Sequence, residues 1–359
     1  MEGKILLISG SNPRRTPFVE FYQNILNKYS IDYDLIYWNR DQNDLVSEDP
    51  QNFIAYNKPF YIYSNPLVKI ISSYKFYRFV RKRIKKEKYK GIICFTILTS
   101  IFFQYLLNKH YRHRYIFDIR DHSPLINNPV MRYFFCRMIK YSFATVISSK
   151  GFTKWLPKEY HYAISHNIDS SLLSHTAIKS GSKNSLNILT IGFFVRFEPN
   201  GHLIKSVGNS DSVKLTFVGF GPCYNEYEEF CNLLNINNVE FKGRYQKSEE
   251  LSYYDHCDMV NILLPHTLNS DTCMSNRFYN AVVARKPMIV NSGCYQAELV
   301  EKYKLGLVVD DYDNVGQQIL DYYQELNWDE YLTGCERFIE DVTQDNLVFE
   351  NKVIEFVRL

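Results

Sequence analysis

The chain has 359 residues, too many for one small hydrophobic core, so two domains are the natural expectation. Apolar residues make up 45% of it and charged residues 23%, a balance that excludes a disordered chain. The net charge of +3 supplies no bulk attraction for nucleic acid, and the eight scattered cysteines form no CxxC pair and no cluster of zinc spacing. Reduced thiols in a cytosolic protein without a structural metal are therefore expected. The opening MEGKILLISG carries too short an apolar run for a signal peptide and reads as a first strand. The 29 Tyr and 25 Phe suit wide binding surfaces and cores alike.

In chain order, strand Lys4–Ser9 leads into the loop GSNPRRT and a helix with Thr16 as N-cap and Pro17 at its first position. Strand Asp34–Trp38 follows, then a polar segment to about Asn65 with no clear period. Residues Tyr74–Lys90 carry nine Lys or Arg and one acid, Glu87, while aromatic and aliphatic residues recur every three or four positions. That pattern predicts a basic amphipathic helix, either a solvated face packed by its aromatic side or a site for an anionic membrane surface. No nucleic-acid motif accompanies it, so nucleic acid is not expected as a partner.

Gly91–Leu107 is seventeen residues without a charge, at the lower edge of a membrane span. Thr96, Thr99, Ser100 and Gln104 interrupt it, and a buried strand Ile92–Phe95 followed by a helix from near Thr99 fits better. Strand Tyr115–Ile119, a helix near Val130–Tyr141 and strand Ala144–Ser148 continue an α/β alternation that predicts a parallel sheet with helices on both faces.

Residues 170–185 are rich in Ser, Lys and Gly and read as a linker. The alternation then restarts. Strands are expected at Leu186–Ile191, Val213–Val218, Asp258–Leu264, Pro287–Asn291 and Gly306–Val309, with a helix Ser248–His256 capped by Ser248. The expected domains are 1–170, a linker 171–185, a second doubly wound domain 186–344, and a C-terminal helix 345–359 packing back on the first domain. Two such domains would border a cleft at the C-terminal ends of their strands.

Leu263–Gly293 carries the densest chemistry. On a helix, Asn276, Arg277 and Asn280 lie three and four residues apart and share a face, with Phe278, Ala281 and Val282 turned to a core. Ser275 would cap that helix, so free N–H groups, a positive dipole end and an arginine meet at one point. Such a place suits a phosphate bordered by hydroxyl groups. An ordinary amphipathic helix with a polar outer face fits the same pattern.

Several motifs, in order and spacing, resemble the retaining GT-B glycosyltransferases of the family-4-like, or group 1, type. LTFVGFGP (Leu215–Pro222) is similar to the family's strand and G-x-G-P turn. Asn238–Arg244, then Ser248–Leu251, Tyr254 and Asp258, resembles its "N-V-x-F-x-G … E-x-L … Y … A-D" run. Asn280–Pro287 resembles "E-A-M-A-x-G-x-P", and Leu299-Val300 with Gly306–Val309 resembles "I-V … G-x-x-V". In the first half, Tyr115–Asp121, Ile147–Ser149 and His166–Asp169 resemble shorter family patterns.

The resemblance implies a GT-B fold, two Rossmann-like domains facing a central cleft. It also implies transfer of a sugar, with retention and without a metal or other cofactor, from a nucleotide-diphosphate sugar. Asp118 and Asp121 are separated by two residues, so no Asp-x-Asp metal motif arises there. Donor binding is expected at Gly192, Arg196, Gly219, Gly221, Arg244, Tyr245, Thr272, Asn276, Arg277 and Asn280. The family's paired glutamates are absent: Thr272 and Asn280 stand in their places, and Asp271 is the nearest acid. Glu198 stands at the spacing of the family's lysine, leaving Arg196 as its replacement beside Arg277.

Asp121, His122 and Asp271 are the catalytic candidates. Arg14 and Arg15 would steer a saccharide acceptor bearing a phosphate, such as a lipid-linked one. The implied setting is capsular, exo- or O-polysaccharide synthesis, in the cytoplasm and peripheral on the inner face of the cell membrane. Two alternatives stay open: a nucleotide-sugar 2-epimerase using His266 and Asp271, and a non-catalytic GT-B binding protein. A dehydrogenase is disfavoured, because no complete G-x-G-x-x-G follows either domain's first strand.

Overall fold

The computed structural model describes residues 3–40, 50–60, 65–168 and 185–359. Most of the expected linker, 171–184, and Asp169 of the His166–Asp169 motif lie outside those residues. The chain divides into two units, Met1–Asn167 with Gln344–Leu359, and Ile168–Thr343.

The first unit holds seven parallel strands, β1 (Ile5–Ser9), β2 (Tyr33–Asn39), β3 (Phe53–Asn57), β4 (Gly91–Phe95), β5 (Tyr115–Ile119), β6 (Ala144–Ile147) and β7 (Tyr162–Ile164), in the order β3-β2-β1-β4-β5-β6-β7. Its helices are α1 (Phe18–Lys28), α2 (Pro66–Lys86), α3 (Ile97–Ser100), α4 (Gln104–His110) and α5 (Pro129–Tyr141). Strands β1, β4 and β5 are buried along their whole length, as crossover helices on both faces require. The chain winds outward from β1 in one direction and then returns to place β4 on its other side, so the crevice of this sheet lies between the C-terminal ends of β1 and β4.

Two strands escape the sequence pattern. The polar stretch before Asn65 contains β3, an edge strand whose residues are only partly buried, and β7 is a three-residue edge strand at the other side. Edge strands lack the continuous apolar run that marks the central ones. Thr16 is not a helix cap: its hydroxyl donates to the Asn12 carbonyl at 3.1 Å, and α1 begins at Phe18. The basic helix starts eight residues before Tyr74, at Pro66, with the Asn65 side chain accepting from the Leu67 N–H, and it ends at Lys86. Among the described residues no helix is long and apolar enough to cross a membrane.

The second unit holds β8 (Leu186–Phe193), β9 (Val213–Phe220), β10 (Val239–Gly243), β11 (Met259–Asn261), β12 (Met288–Asn291) and β13 (Gly306–Val309), all parallel, in the order β10-β9-β8-β11-β12-β13. Its helices are α6 (Asn200–Val207), α7 (Tyr224–Leu233), α8 (Glu250–Asp255), α9 (Asn276–Val283), α10 (Tyr295–Tyr303), α11 (Val315–Glu325) and α12 (Trp328–Val357). The strand expected over Asp258–Leu264 is limited to β11. The turn before α8 is capped by Gln246 and Glu249 rather than by Ser248. The switch point of this sheet is between β8 and β11.

Helix α12 contributes residues to each unit. Its first half packs Phe338 against Phe278 and Tyr303 in the second unit's core, with ring centroids 5.3 and 5.4 Å apart. Its last turns bring Phe349 edge-on to Tyr22, 4.9 Å away, in the first unit's core.

Candidate functional site

In the second unit a cavity of about 240 Å³ opens at the switch point. The end of β8 supplies Phe193 and the segment after it Arg196, the segment after β11 supplies Pro265 and Ser270, and α9 supplies Arg277. Two paired glycines shape the strand ends beside it. Parallel register sets Gly192 against Gly219 and Phe193 against Phe220. Gly219 has φ +140°, and a Cβ there would lie 1.9 Å from the Gly192 carbonyl oxygen, so only glycine fits. Gly221, at φ +153°, is held as closely against the Phe194 backbone. Phe193 and Phe220 consequently point outward, 58% and 40% exposed, with ring centroids 5.1 Å apart. The Arg244 guanidinium lies over the Phe220 ring at 3.8 Å.

A buried polar network forms the floor. Asn261, fully buried in β11, donates to Thr190 Oγ1 at 3.0 Å and to Asn200 Oδ1 at 2.8 Å, and accepts from the Leu263 N–H. Asn200 donates to the Tyr227 hydroxyl at 3.2 Å, and that hydroxyl bonds to the Arg196 carbonyl at 2.8 Å. Above this floor Arg277 Nη1 donates to the Asn261 carbonyl at 3.3 Å. Desolvation holds the Arg277 guanidinium below its ordinary pKa. No ion pair with a carboxylate satisfies it among the described residues. Glu198 also lines the cavity, but its carboxylate is engaged by His202 at 3.3 Å. The partly buried Arg277 guanidinium above a polar floor is therefore chemically suited to an anion.

Helix α9 begins as the spacing predicts, with Ser275 Oγ accepting from the Phe278 N–H at 3.3 Å. The shared polar face does not survive intact. Asn276 is exposed and Arg277 partly buried, but Asn280 is 8% exposed and donates to Glu250 Oε1 at 3.1 Å. Glu250, buried on α8 and ion-paired with Lys247, brings a carboxylate to the position where α9 itself has none. Tyr245 adjoins this group. Burial, reinforced by the Glu250 charge and opposed by Arg277, pushes its hydroxyl up to about 12. Thr272 is fully buried, with its hydroxyl donating to the Leu268 carbonyl at 2.6 Å.

Asp271 Oδ1 accepts from His266 Nδ1 at 2.7 Å. Asn291 Oδ1 accepts from the Leu264 N–H, so its amide nitrogen faces His266 Nε2 at 3.0 Å. Nε2 must then be the acceptor, and the imidazole proton resides on Nδ1.

Replacing Asn280 by glutamate tests how α9 and α8 share this charge. Two carboxylates would face each other where neither is hydrated, and the pair would retain a proton that the unfolded chain has released. A folded-state pKa raised above the ordinary value near 4.3 means stability is intact below that value and lost as pH rises. Asn280→Glu should therefore destabilise by about 1–3 kcal/mol near pH 8 and by less near pH 5, as read by urea unfolding at both.

In the first unit, Asp118 and Arg120 at the end of β5 form a buried pair, with Nε–Oδ1 2.5 Å and Nη2–Oδ2 2.6 Å. Tyr22 donates to Asp118 Oδ2 at 2.6 Å, and Arg120 also reaches the Ser165 carbonyl and Asn167 Oδ1. The guanidinium fork thus belongs to Asp118. Burial alone would lower the Arg120 pKa, and the Asp118 charge overrides it. Asp121 is exposed beyond this anchor. His122 packs edge-on to Trp155 with centroids 5.2 Å apart, and burial lowers its pKa against a hydrogen bond to Asn127 that raises it. Arg14 and Arg15 are exposed on the turn after β1, which Asn12 caps. The first unit therefore carries Arg14 and Arg15 after β1 and Asp121 and His122 after β5, on loops that follow different strands. The second unit gathers Arg196 and Arg277 around one cavity.

No protein-family model matches the chain, and no curated protein matches it. Solved structures do. Sucrose-phosphate synthase from Thermosynechococcus elongatus matches over 98% of both chains, with a TM-score of 0.75 at 14% identity. The lipopolysaccharide outer core galactosyltransferase WaaB matches over 98% of this chain and 99% of its own, with a TM-score of 0.66 at 13% identity. The Anabaena protein HepE, solved with UDP and glucose, matches over 98% and 99%, with a TM-score of 0.67 at 13% identity. The chain has the GT-B fold. At these identities the likeness is one of fold, as the strand-turn motifs predict. Asn200 and Asn261, the amides beside the cavity, lie outside the matched motifs, and Glu250 lies within Ser248–Leu251, where its contact with Asn280 cannot be read. One signal for Asn261 was present: an amide inside the apolar run MVNILL.

Proposed function

We propose that the protein is a glycosyltransferase that moves a sugar from a nucleotide-diphosphate sugar to a saccharide acceptor. The observation that carries this is Arg277, partly buried without a carboxylate partner among the described residues, at the switch-point cavity of the second unit. Arg277 and Arg196 would bind the diphosphate, donating in planar forks to the oxygens that gain charge as it departs. Asn280 and Glu250 would meet ribose hydroxyls, and Asp271, oriented by His266, a hydroxyl of the donor sugar. The Phe220–Arg244 stack and Tyr245 would border the nucleoside.

The transfer breaks the anomeric carbon–oxygen bond to the diphosphate and forms one to an acceptor hydroxyl oxygen on the same face, the hydroxyl proton passing to the departing diphosphate, without a metal. The acceptor, a lipid-linked saccharide of surface-polysaccharide synthesis, would dock on the first unit at Asp121, His122, Arg14 and Arg15. The basic helix α2 would hold the protein on the inner face of the membrane. Neighbours of the same fold support the donor class: HepE is solved with UDP and glucose, and WaaB is a galactosyltransferase.

Incubation with a panel of UDP-, GDP- and ADP-sugars and saccharide acceptors, followed by NMR of the product's anomeric proton, tests this. Acceptor-dependent release of nucleoside diphosphate with retained configuration is expected. Turnover of a UDP-sugar without acceptor to its 2-epimer would replace this reading with the epimerase, and binding without any turnover with the binding protein.

A further inference from the structure

Helix α2 carries one outward stripe at three- and four-residue spacing, Leu67, Ile71, Tyr74, Arg78, Arg81 and Lys85. Its first half is apolar and open to solvent, with Leu67 66%, Ile71 53% and Tyr74 54% exposed, and Val68 and Ile70 beside them are exposed too. Its second half is cationic. Arg83, by contrast, turns inward to the buried Asp34 at 3.7 Å.

Where the helix ends, a pocket of about 560 Å³ opens. Arg81, Lys85, Lys88, Lys90 and Arg114 line it, His110 adds a sixth basic side chain, and no carboxylate is among the lining residues. Its floor is apolar, made by Ile84, Leu106, Tyr89 and Tyr111. Lys90 and Arg114 directly precede β4 and β5, so the pocket lies at the N-terminal ends of the strands. The β1/β4 crevice is at the opposite end of the sheet, which separates this pocket from any acceptor site there.

Lys90 donates to the Val357 carbonyl and Arg114 to the His110 carbonyl, both at 2.7 Å, and their charge remains. Arg81, Lys85 and Lys88 are exposed around the concavity. Together they select a compact anion, and the apolar floor selects one attached to a hydrocarbon. Tyr89 and Tyr111 are 4% and 8% exposed, so neither offers a free face on which a nucleobase could stack. We propose that this pocket binds the phosphate group of an anionic phospholipid while the stripe of α2 lies along the bilayer, its apolar half inserted and its basic half among headgroups. This deepens the membrane side of the proposed function and is independent of the donor cavity.

The test uses the full chain and vesicles of phosphatidylcholine alone or with about one third phosphatidylglycerol. Wild type should float with the anionic vesicles and not with the neutral ones. Arg81→Ala/Lys85→Ala/Lys88→Ala should lower partitioning by about 100-fold. Lys75→Ala/Lys82→Ala/Lys86→Ala removes the same charge from exposed positions of α2 outside the pocket, and should lower it distinctly less. Equal losses in the two triple variants would overturn the pocket, leaving only diffuse attraction. Inorganic phosphate binding as tightly as the vesicles would overturn the lipid assignment. Melting temperatures and nucleoside-diphosphate binding should match wild type in both variants, so failure here and failure of the donor reading are told apart.

Discussion

Arg196→Ala/Arg277→Ala is expected to lose sugar transfer by about 100- to 10,000-fold while keeping a melting temperature close to wild type. Each charge-assisted hydrogen bond to a diphosphate is worth about 1.5–3 kcal/mol, and about 1.4 kcal/mol is a factor of ten. Folding should tolerate the change because of how each arginine is held. Arg196 is exposed, and Arg277 makes one hydrogen bond among the described residues, to a backbone carbonyl, in surroundings that disfavour its charge. Truncating Arg277 therefore strands no buried acid. Arg277→Met, which fills the same volume, should leave the melting temperature equal or higher yet abolish the stabilisation that a nucleoside diphosphate confers. Transfer at the wild-type rate in the double variant would refute the donor site.

Asp118→Asn should behave in the opposite way. Asp118 and Arg120 are 0% and 5% exposed, and neutralising the acid leaves a buried guanidinium without its counter-charge. Breaking such a pair costs about 3–5 kcal/mol, which for a unit of this size is a drop of roughly 10 °C in melting temperature. The loss should be confined to the first unit. Nucleoside-diphosphate binding by the second unit, measured well below the transition, should be unchanged. A melting curve indistinguishable from wild type would mean that the Asp118–Arg120–Tyr22 network does not anchor the end of β5.

The fold was legible because central parallel strands are buried on both faces and so read as apolar runs between helical periods. ILLIS, GIICF and YIFDI declared themselves in this way. FIAYN and YAI did not, because β3 and β7 are edges with no fully buried residue. The site was legible where chemistry and local geometry coincide, as at Ser275, whose cap places Arg277 in the first turn of α9. It was not legible where partners come from distant segments. Periodicity assigns Asn280 to a polar face, and only tertiary packing shows that face to be covered by α8, with Glu250 waiting for the amide. Arg120 likewise lies next to Asp121 in sequence but turns back to Asp118, because side chains two residues apart share a face of a strand.

Calorimetric titration of the intact chain with UDP, GDP and ADP probes the donor cavity most directly. One of the three should bind at a single site, and Arg277→Ala should weaken that binding by about 10- to 100-fold. Absence of binding by all three, or binding that Arg277→Ala leaves unchanged, would contradict the assignment of this cavity to a nucleotide-diphosphate donor.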